Sequence, residues 1–172
     1  IAPPGELPQA AHGVGSRVGG LHRWLALALA LFVQVGHVGL APHAPREDLA
    51  RITRALGELD PDVLVGFGGG STLDAVKAAD VLRVLGGQVE AYFGTGLVSK
   101  AVAAAGRKLT PFVAIQTAAS SGAHLTKYAN ITDVGSGQKK LIVDEAIVPV
   151  QPLFDYETTL GAPAALTADG AL

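Results

Sequence analysis

The 172-residue chain contains no cysteine and no methionine, and only 5% of its residues are aromatic. Without cysteine there is no disulfide framework, no thiolate nucleophile and no Cys-ligated zinc. That usage fits a reducing cytoplasm and leaves only His and carboxylate ligands for any metal. Charge is also scarce and balanced, with 13 Lys+Arg against 15 Asp+Glu, a net −2 and no block of one sign. The positive field that draws proteins onto nucleic acid is missing, so no nucleic-acid partner is expected. The apolar run Leu25–Val33 is about half the roughly 20 residues that span a bilayer, so no membrane partner is expected either. The missing methionine, initiator included, and the end at Leu172 read as a piece of a longer product.

What the chain has instead is 49% hydrophobic residues, 22 Gly and 10 Pro, a balance that suits a well-buried α/β or α+β domain. Its length allows one domain, or one domain and a fragment. Residues 1–20, with Pro3, Pro4, Gly5, Pro8, Gly13, Gly15, Gly19 and Gly20, read as a loose leading segment, and residues 21–172 as the folded domain. The run from Leu21 reads as a buried helix passing into a strand around Leu31–Val35, in preference to a secretion signal. Leu49, Ile52, Leu56 and Leu59, spaced by three and four behind Glu47 and Asp48, predict a helix from Pro45 that ends near Asp60-Pro61. Val63-Leu64-Val65 and Pro111–Ile115 read as buried strands, as do Lys140–Val143 and Ala146-Ile147-Val148. With a helix from Ser71 to about Leu85, this order predicts an open α/β sheet.

The most informative stretch runs from Gly66 through Gly68-Gly69-Gly70-Ser71 to Asp74 and Lys77. A strand that ends in glycines and turns at once into a helix aims free N–H groups and a positive dipole end at one place, which is a phosphate cradle. Ser71 is a candidate N-cap with Asp74 as its capping partner, and Lys77 reads as a solvated lysine. Neither the Gly-x-Gly-x-x-Gly fingerprint nor a P-loop is present, which lowers the generic Rossmann and NTPase readings. His124 reads as a hydrogen-bonding spacer, and His37 and His43 as loop residues, because no ligand spacing supports a metal site.

Gly68-Gly69-Gly70-Ser71-x-x-Asp74-x-x-Lys77 resembles the cofactor-binding motif of the iron-containing alcohol dehydrogenase family. The resemblance continues through Pro111-x-x-Ala114-Ile115, the Thr117–Thr126 loop, Ile131-Thr132-Asp133, Lys139-Lys140, Pro149, Phe154-Asp155 and Pro163-x-x-Leu166-Thr167-Ala168, covering residues 42 to 172. It implies an open, mostly parallel Rossmann-like sheet with flanking helices, similar to the N-terminal domain of dehydroquinate synthases, with a C-terminal helical domain missing. It also implies NAD or NADP as cofactor. Gly68, Gly69, Gly70, Ser71 and Asp74 carry the motif, and Gly69, Gly70 and Ser71 would hold the pyrophosphate. Thr117 and Thr126 match threonines along the adenine and nicotinamide side, and Lys139 matches a cofactor-contacting lysine. Where the family reads Pro-Thr-Thr-Ala-Gly-Thr-Gly-Ser-Glu, this chain has Gln116-Thr117-Ala118-Ala119-Ser120-Ser121-Gly122-Ala123-His124, so Ser120 and Ser121 could supply hydroxyls in place of a missing threonine.

The family metal, Fe2+ or Zn2+, is held by an Asp, a His four residues on and two later histidines. Counted from Pro163–Ala168, the first ligand falls just after Leu172, so the resemblance places no metal ligand and no catalytic group in this chain. The implied reaction is hydride transfer between NAD(P) and a small alcohol, aldehyde or ketone, with this piece alone inactive. The alternatives are a dehydroquinate-synthase-like cyclase and a non-catalytic nucleotide-binding fragment. The exposed apolar face left by a missing domain predicts aggregation or dimerisation, the latter as a homodimer.

Overall fold

The computed structural model describes residues 46–119, 122–133, 136–154 and 157–171, all within the unit Leu40–Leu172. The expected leading segment, its boundary at residue 21, the apolar run into Leu31–Val35, His37, His43, Ser120 and Ser121 lie outside the described residues.

Helix α1 (Arg46–Leu59) buries Leu49, Ile52 and Leu56 while Leu59 stays exposed. It stops where expected. Asp60 takes a φ of 40°, its N–H still bonded to the Leu56 carbonyl at 3.0 Å, and Pro61 cannot continue the ladder. Strand β1 (Leu64–Gly68) then runs three residues further than the apolar triplet suggested and leads into α2 (Gly70–Leu85). After a short 3-10 turn come β2 (Gly94–Thr95), α3 (Leu97–Ala105) and β3 (Phe112–Gln116). Strands β4 (Tyr128–Asp133), β5 (Gln138–Val143) and β6 (Gln151–Phe154) and helices α4 (Glu157–Leu160) and α5 (Ala164–Ala171) complete the order.

The strands of the described residues form two sheets. One is wholly parallel, in the order β1-β3-β6, with Leu64 opposite Phe112 and Gly68 opposite Gln116. The other, in the order β2-β5-β4, pairs β4 and β5 antiparallel, which the alternation of apolar runs did not reveal. Ala146-Ile147-Val148, read as a strand, is part of a 3-10 turn over Glu145–Ile147. The cause is Asp144, whose carboxylate accepts from the Ala146 N–H at 3.0 Å and bends the chain there. The same carboxylate accepts from the N–H of Ser99 at 2.9 Å and from its hydroxyl, so it fills the N-terminus of α3 with a fixed anion. Burial works against that charge, yet the bonds from Ser99, Ala146 and Val98 hold the Asp144 pKa below the ordinary carboxylate value.

Helix α2 is the centre of the fold. It packs against α1, α3, β1, β3 and β4, and Leu73, Asp74, Ala75, Lys77, Ala78, Ala79, Asp80, Val81 and Val84 are all buried. A helix enclosed on most of its circumference has no broad solvent face, which is why its polar residues must find protein partners. At its C-terminal half Asp80 accepts from the Thr110 N–H (2.8 Å), the Thr110 hydroxyl (2.9 Å) and Arg83 Nε (3.1 Å), which pins the start of β3. Close approach also explains Gly66: a Cβ there would lie 2.7 Å from the Phe112 ring and 3.0 Å from a Leu73 methyl. Gly66→Ala is expected to cost about 1–3 kcal/mol in urea unfolding. An unchanged midpoint would contradict this packing.

Candidate functional site

The carboxyl ends of β1 and β3 lie side by side, and the glycine run leaves β1 at that edge. Gly69 is the N-cap of α2, in an extended conformation (φ −77°, ψ 179°), with no side-chain cap. The N–H groups of Thr72 and Leu73 turn back to the Gly69 carbonyl at 3.1 and 3.2 Å. That leaves the N–H groups of Gly70 and Ser71 at the tip of the helix, free of the intrahelical ladder. A Cβ built on Gly69 would meet nothing within 4 Å, whereas one on Gly68 would strike the Thr72 side chain at 2.7 Å. Gly68 is therefore glycine for packing, and Gly69 borders open space in front of the helix dipole. Thr117 closes one side, its N–H bonded to the Gly68 carbonyl at 3.1 Å. This is the geometry of an anion cradle at the carboxyl edge of a parallel sheet.

The capping pair read from the sequence does not form. Ser71 is exposed on the first turn, and Asp74 is buried, accepting from the Asn130 N–H at 3.0 Å. With glycine at the cap position no side chain is needed to start the helix, and the enclosure of α2 turns Asp74 inward. Burial raises the Asp74 pKa, against the pull of Asn130 and Lys77.

Lys77 is likewise not solvated. It is only 3% exposed, and its ammonium donates to the carbonyls of Ala123 (2.6 Å), Thr126 (2.7 Å) and Tyr128 (2.9 Å). All three of its protons are thus spent on the segment that follows β3. Burial pushes its pKa down to about 8, with the Asp74 carboxylate opposing, so it is cationic at neutral pH. The sequence carries no local signal for this burial, because Asp74, Lys77, Asp80 and Arg83 recur every three residues as an exposed polar row would.

The loop between β3 and β4 is tied a second time. The Gln116 side chain donates through Nε2 to the Ala118 carbonyl at 2.8 Å, which leaves Oε1 as acceptor toward His124 Nδ1 at 2.5 Å. His124 is therefore the hydrogen-bonding residue expected of it. Burial lowers its pKa and the nearby Lys77 ammonium lowers it further, so the ring is neutral with its hydrogen on Nδ1.

The structure thus brings Gly68, Gly69, Gly70, Ser71 and Thr117 together at the cradle. Thr126 lies across the loop, half-buried, its carbonyl held by Lys77. Lys139 is exposed on β5, in the other sheet, opposite Thr132. A separate cleft of about 240 Å³ opens at the opposite, amino-terminal end of the parallel strands, lined by Leu64, Asp80, Lys108 and Phe112 among others. It carries no comparable chemistry, because Asp80 is already saturated by Thr110 and Arg83.

The model of the family described as iron-containing alcohol dehydrogenase matches residues 22–156. The chain belongs to that family. The sulfoacetaldehyde reductase of Bilophila wadsworthia is 36% identical over 107 residues, a stretch covering 62% of this chain and 26% of that protein. The NAD-dependent methanol dehydrogenase of Bacillus methanolicus is 38% identical over 106 residues, with the same shares of 62% and 26%. Among solved structures, an alcohol dehydrogenase from Oenococcus oeni aligns with a TM-score of 0.68 at 25% identity, over 77% of this chain and 33% of that one. The chain therefore spans about a quarter of the length of these curated relatives. Its fold is that of the Rossmann-like portion of iron-containing alcohol dehydrogenases.

Proposed function

We propose that this chain is the dinucleotide-binding part of an NAD-dependent oxidoreductase that interconverts a small alcohol and its aldehyde or ketone. The observation that carries this reading is the open space before Gly69, framed by the tip of α2 and by Thr117. A diphosphate fits there, because the Gly70 and Ser71 N–H groups and the helix dipole supply what its charge needs. Gly68 to Ser71 would hold the pyrophosphate, and the Thr117–Thr126 loop would orient the nicotinamide. When bound, the nicotinamide ring supplies hydride chemistry, and the chain supplies binding and orientation. NAD is the preferred cofactor in this proposal, by analogy with the relative named as NAD-dependent.

The family name implies iron. Among the described residues no group of three His, Asp or Glu side chains is placed to hold a metal ion, so the residues present do not form that site. We accordingly assign them no step that polarises the alcohol. Among them, too, no helix is long and apolar enough to cross a membrane. The expected result is that the chain enhances NADH fluorescence saturably yet forms no NADH from NAD+ and primary alcohols. Absence of saturable fluorescence change at millimolar NADH would overturn the binding role, and alcohol-dependent NADH formation by this chain would overturn the division of labour.

A further inference from the structure

The loop following β3 has two limbs. The near limb, Gln116 to Ala118, is fixed to the cradle, because Gln116 pairs with Gly68 and the Thr117 N–H bonds the Gly68 carbonyl at 3.1 Å. The far limb, Ala123 to Tyr128, is fixed to α2 through the Lys77 ammonium. Among the described residues, a side-chain bond can hold one limb to the other across the turn. The bond between Gln116 and His124, 2.5 Å long and buried at both ends, does so.

We infer that Gln116 and His124 are positioning residues for the dinucleotide site, forming a strut that sets the spacing of Thr117 and Thr126 without touching the cofactor. This rests on the dinucleotide reading given above. In the strut the Nδ1 hydrogen of the imidazole is donated to Gln116 Oε1. A protonated ring would still donate to Gln116, but it would place a second buried cation beside Lys77, whose own carboxylate partner is Asp74. Because burial and Lys77 lower the His124 pKa below 6.5, the closed loop is fully favoured above that pH and is lost as the pH falls through the depressed value. Dinucleotide affinity should fall with it.

The test is calorimetric titration of NAD+ into the full chain and two variants between about pH 7.5 and pH 5. His124→Asn keeps a donor where Nδ1 stands and cannot titrate in that range. His124→Leu removes the donor. The wild type is expected to weaken by at least about twofold toward the acid end. His124→Asn should match the wild type at neutral pH within about threefold and change little with acid, while His124→Leu should be roughly tenfold weaker throughout. Equal affinity of His124→Leu and wild type, or identical pH profiles for wild type and His124→Asn, would overturn the strut. Hydrogen exchange of the loop amides reads it without cofactor, with faster exchange expected in His124→Leu than in His124→Asn. If wild type shows no saturable binding, the dinucleotide reading fails, and equal exchange in the two variants would remove the strut independently.

Discussion

Lys77→Met is expected to lower the stability of the fold by about 3 kcal/mol, read as a fall in thermal midpoint of about 10 °C. Methionine matches the length and apolar stem of lysine, so little packing volume is lost. What disappears is the ammonium that donates to Ala123, Thr126 and Tyr128 and faces the Asp74 carboxylate. Carbonyls left without a donor cost about 1–3 kcal/mol each when water cannot reach them. Asp74 would remain buried and lose its nearest cation. A solvated lysine, which the sequence suggested, would change stability by no more than about 0.5 kcal/mol on the same substitution. A Tm within a degree or two of wild type would therefore restore the solvated reading.

Gly69→Leu is expected to separate binding from folding. The backbone of Gly69 is extended and within reach of any residue, and nothing lies within 4 Å of its added Cβ. The fold should lose no more than about 1 kcal/mol, the usual order for replacing a good N-cap residue. The leucine side chain would occupy the space in front of the Gly70 and Ser71 N–H groups. NAD+ affinity should fall on the order of a hundredfold, a loss of about 3 kcal/mol. Gly68→Leu makes the contrasting control, since its Cβ would collide with Thr72 at 2.7 Å and the cost would appear in stability. Retained affinity in a folded Gly69→Leu protein would mean that the diphosphate lies elsewhere.

Features that depend on local chemistry were legible in the sequence. The period of Leu49, Ile52 and Leu56 gave α1, and Asp60-Pro61 gave its end. The glycine run marked the junction of β1 and α2. Features that depend on enclosure were not. Whether Lys77 meets water is decided by β4 and α1, which close over α2 from positions far along the chain. The Asp144 turn is local, its carboxylate accepting from the N–H two residues on, and it was masked by the apolar run Ala146-Ile147-Val148, which reads as a strand. The antiparallel pairing of β4 with β5 escaped because Ile131 and Ile142 carry the same burial in a parallel or an antiparallel ladder. His124 was legible as a hydrogen-bonding residue, whereas its partner Gln116, eight residues earlier, was not.

Titration of NAD+ into the unmodified chain by calorimetry tests the central claim most directly. The account predicts a saturable, one-to-one isotherm with a Kd of about a millimolar or tighter, worth roughly 4 kcal/mol or more. A flat isotherm from a folded protein at several times that concentration would contradict it, and the glycine run would then stand as a tight strand-to-helix turn and nothing more.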